Sequence, residues 1–301
     1  MRVKGFNIKV EGVIVPIVTP FREDERLNLE AAKHLTEWLI EQGVHGLLIA
    51  GSLGEAAKMS LNERKKLLDA VLDAAKSKVS IFLGTGFPDT KRTIELTLYA
   101  KDAGATGAVI IPPYYQKPSD NALYEHYKLI NDSVKDYPIL LYDIPIFACY
   151  SLSLNLIRKV AALENIIGLK DSSGNMSRFI QLLNTLGDKI AILQGYDILQ
   201  IPSLILGSPG GVLGAGNVIA KFEVEIYNEF IKGNIDRAKK IFKKILPIIM
   251  YLMADNRFPT AYKEALNIMG LNVGRPRKPY RELSVKERKE LKELLKKLNL
   301  V

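Results

Sequence analysis

The sequence predicts an α/β protein, a (β/α)8 TIM barrel with a C-terminal helical extension. Apolar runs of strand length recur eight times along the 301 residues, and an amphipathic helical pattern follows each. The runs are almost continuously apolar instead of alternating, which indicates parallel strands covered on both faces. They recur at roughly 30 residues, the length of one strand–helix unit. A doubly wound open sheet is the rival. It has fewer strands and a Gly-rich nucleotide loop after the first, and Thr19-Pro20-Phe21 is no such loop.

The expected strands are 12–19, 46–51, 80–85, 107–111, 139–142, 166–170, 191–194 and 210–214. Between them, 29–42 places Ala32, Leu35, Leu39 and Ile40 on one helical stripe, and Gly43 is a stop signal. Ser60-Leu61-Asn62-Glu63 is a capping box that opens a helix to about residue 77. Asp89 caps a helix that runs to 103, where Gly104 ends it, and Ser119, Ser153 and Asn175 cap the next three. The barrel's last helix is expected at 221–232. Helical patterns at 235–254, 260–269 and 284–298 then form the extension, with Pro247 kinking the first. The chain divides into a catalytic barrel, 1–233, and a C-terminal extension, 234–301, packed on it.

At 48% hydrophobic and 25% charged residues, the composition is that of a globular protein. The net charge of +9 comes from 42 Lys+Arg against 33 Asp+Glu, with much of the excess in Arg275-Pro276-Arg277-Lys278 and in 286–292. The second run mixes signs at helical spacing and reads as a solvated helix face, so no nucleic-acid partner is expected. Cys149 is alone, which leaves neither a disulfide framework nor a cysteine metal cluster. Residues 1–6 lack the apolar core of a signal peptide, and no stretch approaches the ~20 apolar residues of a membrane span. A cytoplasmic protein without a membrane partner is expected. His34, His45 and His126 show no metal-ligand spacing, and His34 and His126 fall within helical patterns, where a structural role is expected.

In such a barrel the active site lies at the C-terminal ends of the strands. That rule selects Thr19, the Ser52-Leu53-Gly54-Glu55 turn, Tyr114 and Tyr115, Tyr142, Lys170, Gly195 and Asp197, and residues 214–217. Lys170 ends an apolar strand. Burial lowers an amine's pKa, and a neutral amine attacks carbonyls to form a Schiff base. The alternative is a strand-end lysine that reaches solvent or pairs with Asp171. Tyr142 ends the adjacent strand and suits a proton shuttle, or else satisfies its hydroxyl on backbone. In the turn, free N–H groups and the Ser52 hydroxyl can hold a carboxylate, while Glu55 orients backbone or caps a helix. The aromatic loop 112–118 reads equally as an oligomer contact or a catalytic element. Together these groups suggest that Lys170 condenses with a ketone. The protonated imine is then the electron sink for an enamine that adds to, or is released from, an aldehyde.

The motifs Val18-Thr19-Pro20-Phe21, Gly51-Ser52-Leu53-Gly54-Glu55, Pro113-Tyr114-Tyr115, Leu141-Tyr142-Asp143-Ile144-Pro145 and Gly168-Leu169-Lys170-Asp171-Ser172-Ser173-Gly174 occur in this order, followed by 211–217. With them, and with 28 residues from Tyr142 to Lys170, nearly the whole chain resembles the dihydrodipicolinate synthase/N-acetylneuraminate lyase family of class I, pyruvate-dependent aldolases. The resemblance implies that Lys170 is the Schiff-base lysine and Tyr142 the proton relay. It implies that Ser52 and the Leu53 N–H hold the pyruvate carboxylate, and that Tyr115 reaches a neighbouring subunit's site, linked to Tyr142 through Ser52. It further implies a homotetramer, built as a dimer of dimers, with no cofactor and no metal. The expected substrate-binding set is Ser52, Leu53, Gly54, Thr19, Phe147, Gly195, Leu213 and Gly214.

Two positions depart from the pattern. Phe147 stands where the synthase branch has an arginine for the second substrate's carboxylate, and Leu53 replaces a hydroxyl residue. An aldolase cleaving a 2-keto-3-deoxy sugar acid suits this better, with Asp143, Tyr196 and Asp197 as acceptors for sugar hydroxyls. The alternatives are an authentic 4-hydroxy-tetrahydrodipicolinate synthase and a non-catalytic barrel that binds a keto acid.

Overall fold

A computed structural model describes residue 6 and residues 8–301. The signal-peptide expectation therefore rests on residues that lie, except for Phe6, outside the described ones. In chain order the elements are β1 (Gly12–Pro16), α1 (Leu29–Glu41), β2 (Gly46–Ile49), α2 (Leu61–Ala75), β3 (Ser80–Gly84), α3 (Thr90–Asp102), β4 (Gly107–Ile110) and α4 (Asp120–Ser133). There follow β5 (Ile139–Asp143), α5 (Pro145–Ala148), α6 (Leu154–Ala161), β6 (Ile166–Asp171), α7 (Met176–Leu186), β7 (Ala191–Gln194), α8 (Gln200–Ile205), β8 (Gly210–Val212) and α9 (Gly216–Ile231). The C-terminal helices are α10 (Ile235–Leu252), α11 (Thr260–Ile268) and α12 (Val285–Lys297). Among the described residues, eight parallel strands close in sequence order, β8 pairing back onto β1 at Gly12↔Gly210. The fold is the TIM barrel with C-terminal helices that the periodicity predicts.

Side chains form the expected starts. Ser60 and Glu63 make both bonds of the capping box, and Asp89, Ser119, Ser153 and Asn175 each accept an N–H from the first turn of their helices. One expectation changes. Helix α9 begins at Gly216, not 221, with a break at Ile219, so Gly216 and Asn217 belong to a helix and not to a loop. The Asn217 side chain accepts from Val18 N–H and donates to Pro16 O, stitching the start of α9 to the end of β1 across the barrel's seam. Helix α10 runs through Pro247 as one element. Pro247 and Lys243, whose carbonyl it frees, are both exposed, so water can satisfy that carbonyl. Arg277 is no free surface charge, since its guanidinium pairs with Glu63 and donates to Lys58 O and Glu25 O.

Two apolar layers result. Outside the barrel, Leu47, Ile49, Leu141, Leu169 and Ile192 pack against the helices, in a core that also takes Ile245, Leu252, Leu266 and Leu291 from α10 to α12. Inside it, Ile14, Leu48, Phe82, Val109, Leu140 and Ile167 fill the lumen. Strict alternation along β6 would put Ile166 outside, Ile167 inside, Leu169 inside and Lys170 outside. The register instead jumps, from Ile139↔Ile166 to Leu140↔Gly168. This bulge returns Leu169 to the outer core and turns Lys170 inward. Gly168 permits it, because a Cβ there would lie 3.0 Å from Ala191 O and 3.3 Å from the Leu140 side chain. Among the described residues no helix is long and apolar enough to cross a membrane.

His126 has the structural role expected. It is buried on α4, with Nδ1 2.8 Å from the Thr90 hydroxyl and no partner for Nε2 among the described residues. Burial pulls its pKa down to about 4, against a weaker opposing pull from Asp89. The unfolded chain thus binds a proton near pH 6.5 that the folded chain refuses until about 4. Stability should fall as pH drops through that window, by up to ~3 kcal/mol from this group. His126→Gln should flatten that part of the profile in urea titrations, whereas a slope unchanged from wild type would exclude His126 as its source.

Candidate active site

The mouth at the C-terminal ends of the strands opens into two adjoining chambers that share Ser52, Tyr142, Phe147, Phe258 and Tyr280. Lys170, only 4% exposed, lines one of them with Gly195, Val212 and Gly214. On the neighbouring strand Tyr142 is its register partner, and Lys170 Nζ lies 4.0 Å from the Tyr142 ring centroid. Strand geometry therefore fixes the pair. Both side chains point inward from adjacent positions of one parallel ladder.

Ser52, Leu53 and Gly54 form a turn between two non-glycine residues in the left-handed region, Ala50 (φ 51°) and Glu55 (φ 58°). Such residues cost ~1–3 kcal/mol each and persist only where the surroundings over-determine them. The N–H groups of Ser52, Leu53 and Gly54 find no acceptor among the described residues. A carboxylate in the chamber, placed over the N–H groups of Ser52 and Leu53, would satisfy those two donors. Leu53 keeps its side chain buried, which leaves its N–H as the group it offers.

Gly195 is required where it stands. A Cβ on it would meet Ser172 Oγ at 2.1 Å and Lys170 Cε at 2.9 Å. Asp197, also lining the lysine's chamber, is buried and accepts the Ala215 N–H at 2.6 Å, so it ties the end of β7 to the start of α9. Burial pushes its pKa up, against the backbone bonds and the Lys170 charge.

Several expected ligands lie elsewhere. Thr19 is wholly buried and donates its hydroxyl to Gly54 O at 2.6 Å, so it buttresses the turn from behind. Gly54 packs against that contact and lines neither chamber. Leu213 faces the outer core, and its neighbours Val212 and Gly214 face the chamber. Asp143 is no sugar-hydroxyl acceptor. It points outward, where it is wholly buried, accepts from Leu152 N–H and pairs with Arg178 at 2.5 Å. Alternation decides this, because Tyr142 faces in. Tyr196 does line the lysine's chamber. Tyr115 lies 86% exposed with φ 81° and lines neither chamber of its own chain.

Phe147, on the short helix α5, closes the mouth with its ring 5.3 Å from that of Phe258. Phe258, Tyr262, Met253 and Tyr280, all from the C-terminal segment, complete the walls and were not foreseen from sequence. Phe258-Pro259 and Pro279-Tyr280 are the only signal for two of them, an aromatic beside a proline in a polar stretch. Arg64 was missed as well. Buried on α2, it donates to the carbonyls of Ala56, Gly84 and Gly86, and burial pulls its pKa down to about 10.

A buried lysine against a tyrosine ring inside a barrel has the groups of a class I lyase, in which an amine forms a Schiff base with a carbonyl substrate. Residues 9–298 match the model of the dihydrodipicolinate synthetase family, and the chain belongs to that family. It is 36% identical over 291 residues to the 4-hydroxy-tetrahydrodipicolinate synthase of Archaeoglobus fulgidus, covering 97% of this chain and 99% of that one. It is 34% identical over 303 residues to an uncharacterized DapA-like lyase of Pyrobaculum islandicum, covering 98% and 100%. The dihydrodipicolinate synthase structure from Aquifex aeolicus superposes with a TM-score of 0.92 at 32% identity, covering 96% of this chain and 98% of that one. One from Acinetobacter baumannii, complexed with pyruvate, gives 0.91 at 32%, covering 97% and 100%.

The contact at Gly195 yields a test. Gly195→Ala should push the Lys170 side chain off the Tyr142 ring and slow turnover by ~100-fold, the scale of a misplacement near 1 Å. Steady-state rates on folded protein check this, and a wild-type rate would mean that Lys170 tolerates the added methyl.

Proposed function

We propose that the protein is a pyruvate-dependent lyase that works through an imine on Lys170 and needs no metal or cofactor. The observation that carries this is the inward turn of Lys170 at the β6 bulge, which sets Nζ against the Tyr142 ring. The amine adds to the ketone carbon of pyruvate, and the carbinolamine loses water to give a protonated imine. The imine takes up the electron pair when the adjacent methyl loses a proton, and the resulting enamine carbon bonds to an aldehyde carbon. Hydrolysis of the new imine frees the product and the lysine, and cleavage is the reverse. Tyr142 relays protons at the carbinolamine, and the Ser52 hydroxyl with the Leu53 N–H holds the carboxylate. The pyruvate complex of the Acinetobacter baumannii relative supports this choice of keto acid.

Assembly as a homotetramer in the cytoplasm fits the same reading. Tyr115, held in a left-handed conformation and exposed, would reach a neighbouring copy's site. At the aldehyde end, Phe147, Phe258 and Tyr280 present rings and no guanidinium fork, which suits the aldehyde half of a 2-keto-3-deoxy sugar acid, or another aldehyde lacking a carboxylate there. A second reading, 4-hydroxy-tetrahydrodipicolinate synthase itself, draws on the name of the Archaeoglobus fulgidus relative.

Pyruvate with borohydride should add a reduced pyruvyl group to Lys170, read by peptide mass, and no adduct between pH 6 and 9 would end the imine reading. Tyr142→Phe should lose ~100-fold or more in turnover while still trapping, more slowly. With a panel of aldehydes read by product mass, wild type should prefer partners without a carboxylate. Phe147→Arg should shift preference ~10-fold or more toward carboxylate-bearing ones. Efficient wild-type turnover of a carboxylate-bearing aldehyde would favour the synthase reading instead.

A further inference from the structure

Behind the Ser52 turn lies a buried charge cluster that the imine chemistry does not use. Glu55 Oε1 lies 2.8 Å from Lys263 Nζ, with both side chains almost wholly buried, and Glu55 Oε2 accepts the Arg277 N–H at 2.9 Å. Lys263 also donates to Arg275 O at 3.1 Å and lines neither chamber. Lys58 Nζ is 3.5 Å from Glu55, donates to Arg277 O at 2.7 Å and sits 3.4 Å over the ring of Tyr280. The Phe21 ring lies near both cations, 4.2 Å from Lys263 and 4.3 Å from Arg277. Helix α11 and the segment 275–280 are thereby fastened to the backbone that begins three residues after Ser52.

Desolvating two charges costs much of what their attraction returns, so a buried ion pair is weak evidence for added stability. What it does supply is geometry, since neither partner can move without stranding the other. Burial draws the Lys263 pKa down to about 8 against the pull of Glu55. Glu55 itself holds a left-handed φ, and its N–H donates to Ser52 O at 3.1 Å. From the opposite side Thr19 holds Gly54 O. The far end of the turn, at Gly54 and Glu55, is thus pinned twice, once by the barrel and once by the C-terminal segment.

Resting on the function proposed above, we propose that Lys263 and Glu55 are positioning residues that hold the Ser52–Gly54 turn in the shape that receives the keto acid's carboxylate. The test is the pyruvate concentration that half-saturates borohydride trapping at Lys170. Lys263→Met should raise it about tenfold or more while leaving trapping at saturating pyruvate near wild type. Lys263→Arg, which keeps the charge, should recover most of the loss. If Lys263→Met does not fold, the double variant Glu55→Gln with Lys263→Met removes both charges and should show the same rise. An unchanged half-saturation in any folded variant that lacks the pair would overturn the proposal. Should wild type itself give no adduct, the imine reading falls and amide exchange at Glu55 and Ala56, whose N–H groups donate to Ser52 O and Gly51 O, decides the positioning role alone. Protection lost in the Met variant supports it, and unaltered protection refutes it.

Discussion

Everything at the mouth of this barrel depends on one irregularity in β6. A parallel strand that alternates without interruption would present Leu169 to the lumen and send Lys170 under the helices. The extra residue between Ile166 and Gly168 reverses that parity, and Gly168 leaves room for it beside Leu140. The lysine then shares a layer with Tyr142 and Leu193, its register partners on either side. A single slip of pairing decides whether the amine meets a ligand or an apolar core.

The same alternation sorts the acidic groups. Asp143 and Asp171 follow Tyr142 and Lys170 in their strands and fall outside, where burial raises both carboxyls' pKa and Arg178 opposes the rise. Arg178 ties β5 to α7 through Asp143, while Asp197 ties β7 to α9. These bonds tie the strand ends to the helices outside, so Lys170 and Tyr142 stand on braced backbone. Thr19, Asn217 and Arg64 do the same for the loops, each spending its polar atoms on carbonyls or amides of the rim. Preorganisation of this kind is what places reacting groups at bonding range.

The C-terminal helices are part of the site rather than an appendage. Phe258 and Tyr280 wall both chambers, and Lys58 holds the Tyr280 ring from the barrel side. Family membership gives the general class of chemistry, and the aromatic wall around Phe147 shapes the mouth across from Lys170.

Periodicity and caps determined much of this from sequence alone. The eight strands, the capping box at Ser60, the candidate lysine and its tyrosine, and the Ser52 turn are local or repeat at a fixed interval, so a single chain displays them. Direction and long-range partnership are not local. Thr19, Leu213 and Asp143 sit at or just past strand ends, yet their side chains face away from the chamber, because direction is set by the pleat and by partners distant in sequence. Nothing local set Arg277 apart within the basic run 275–278, and only folding places it against Glu63 and the Glu55 cluster, more than 200 residues away in sequence. Strand register and loop closure bring such groups together, and only the closed barrel supplies both.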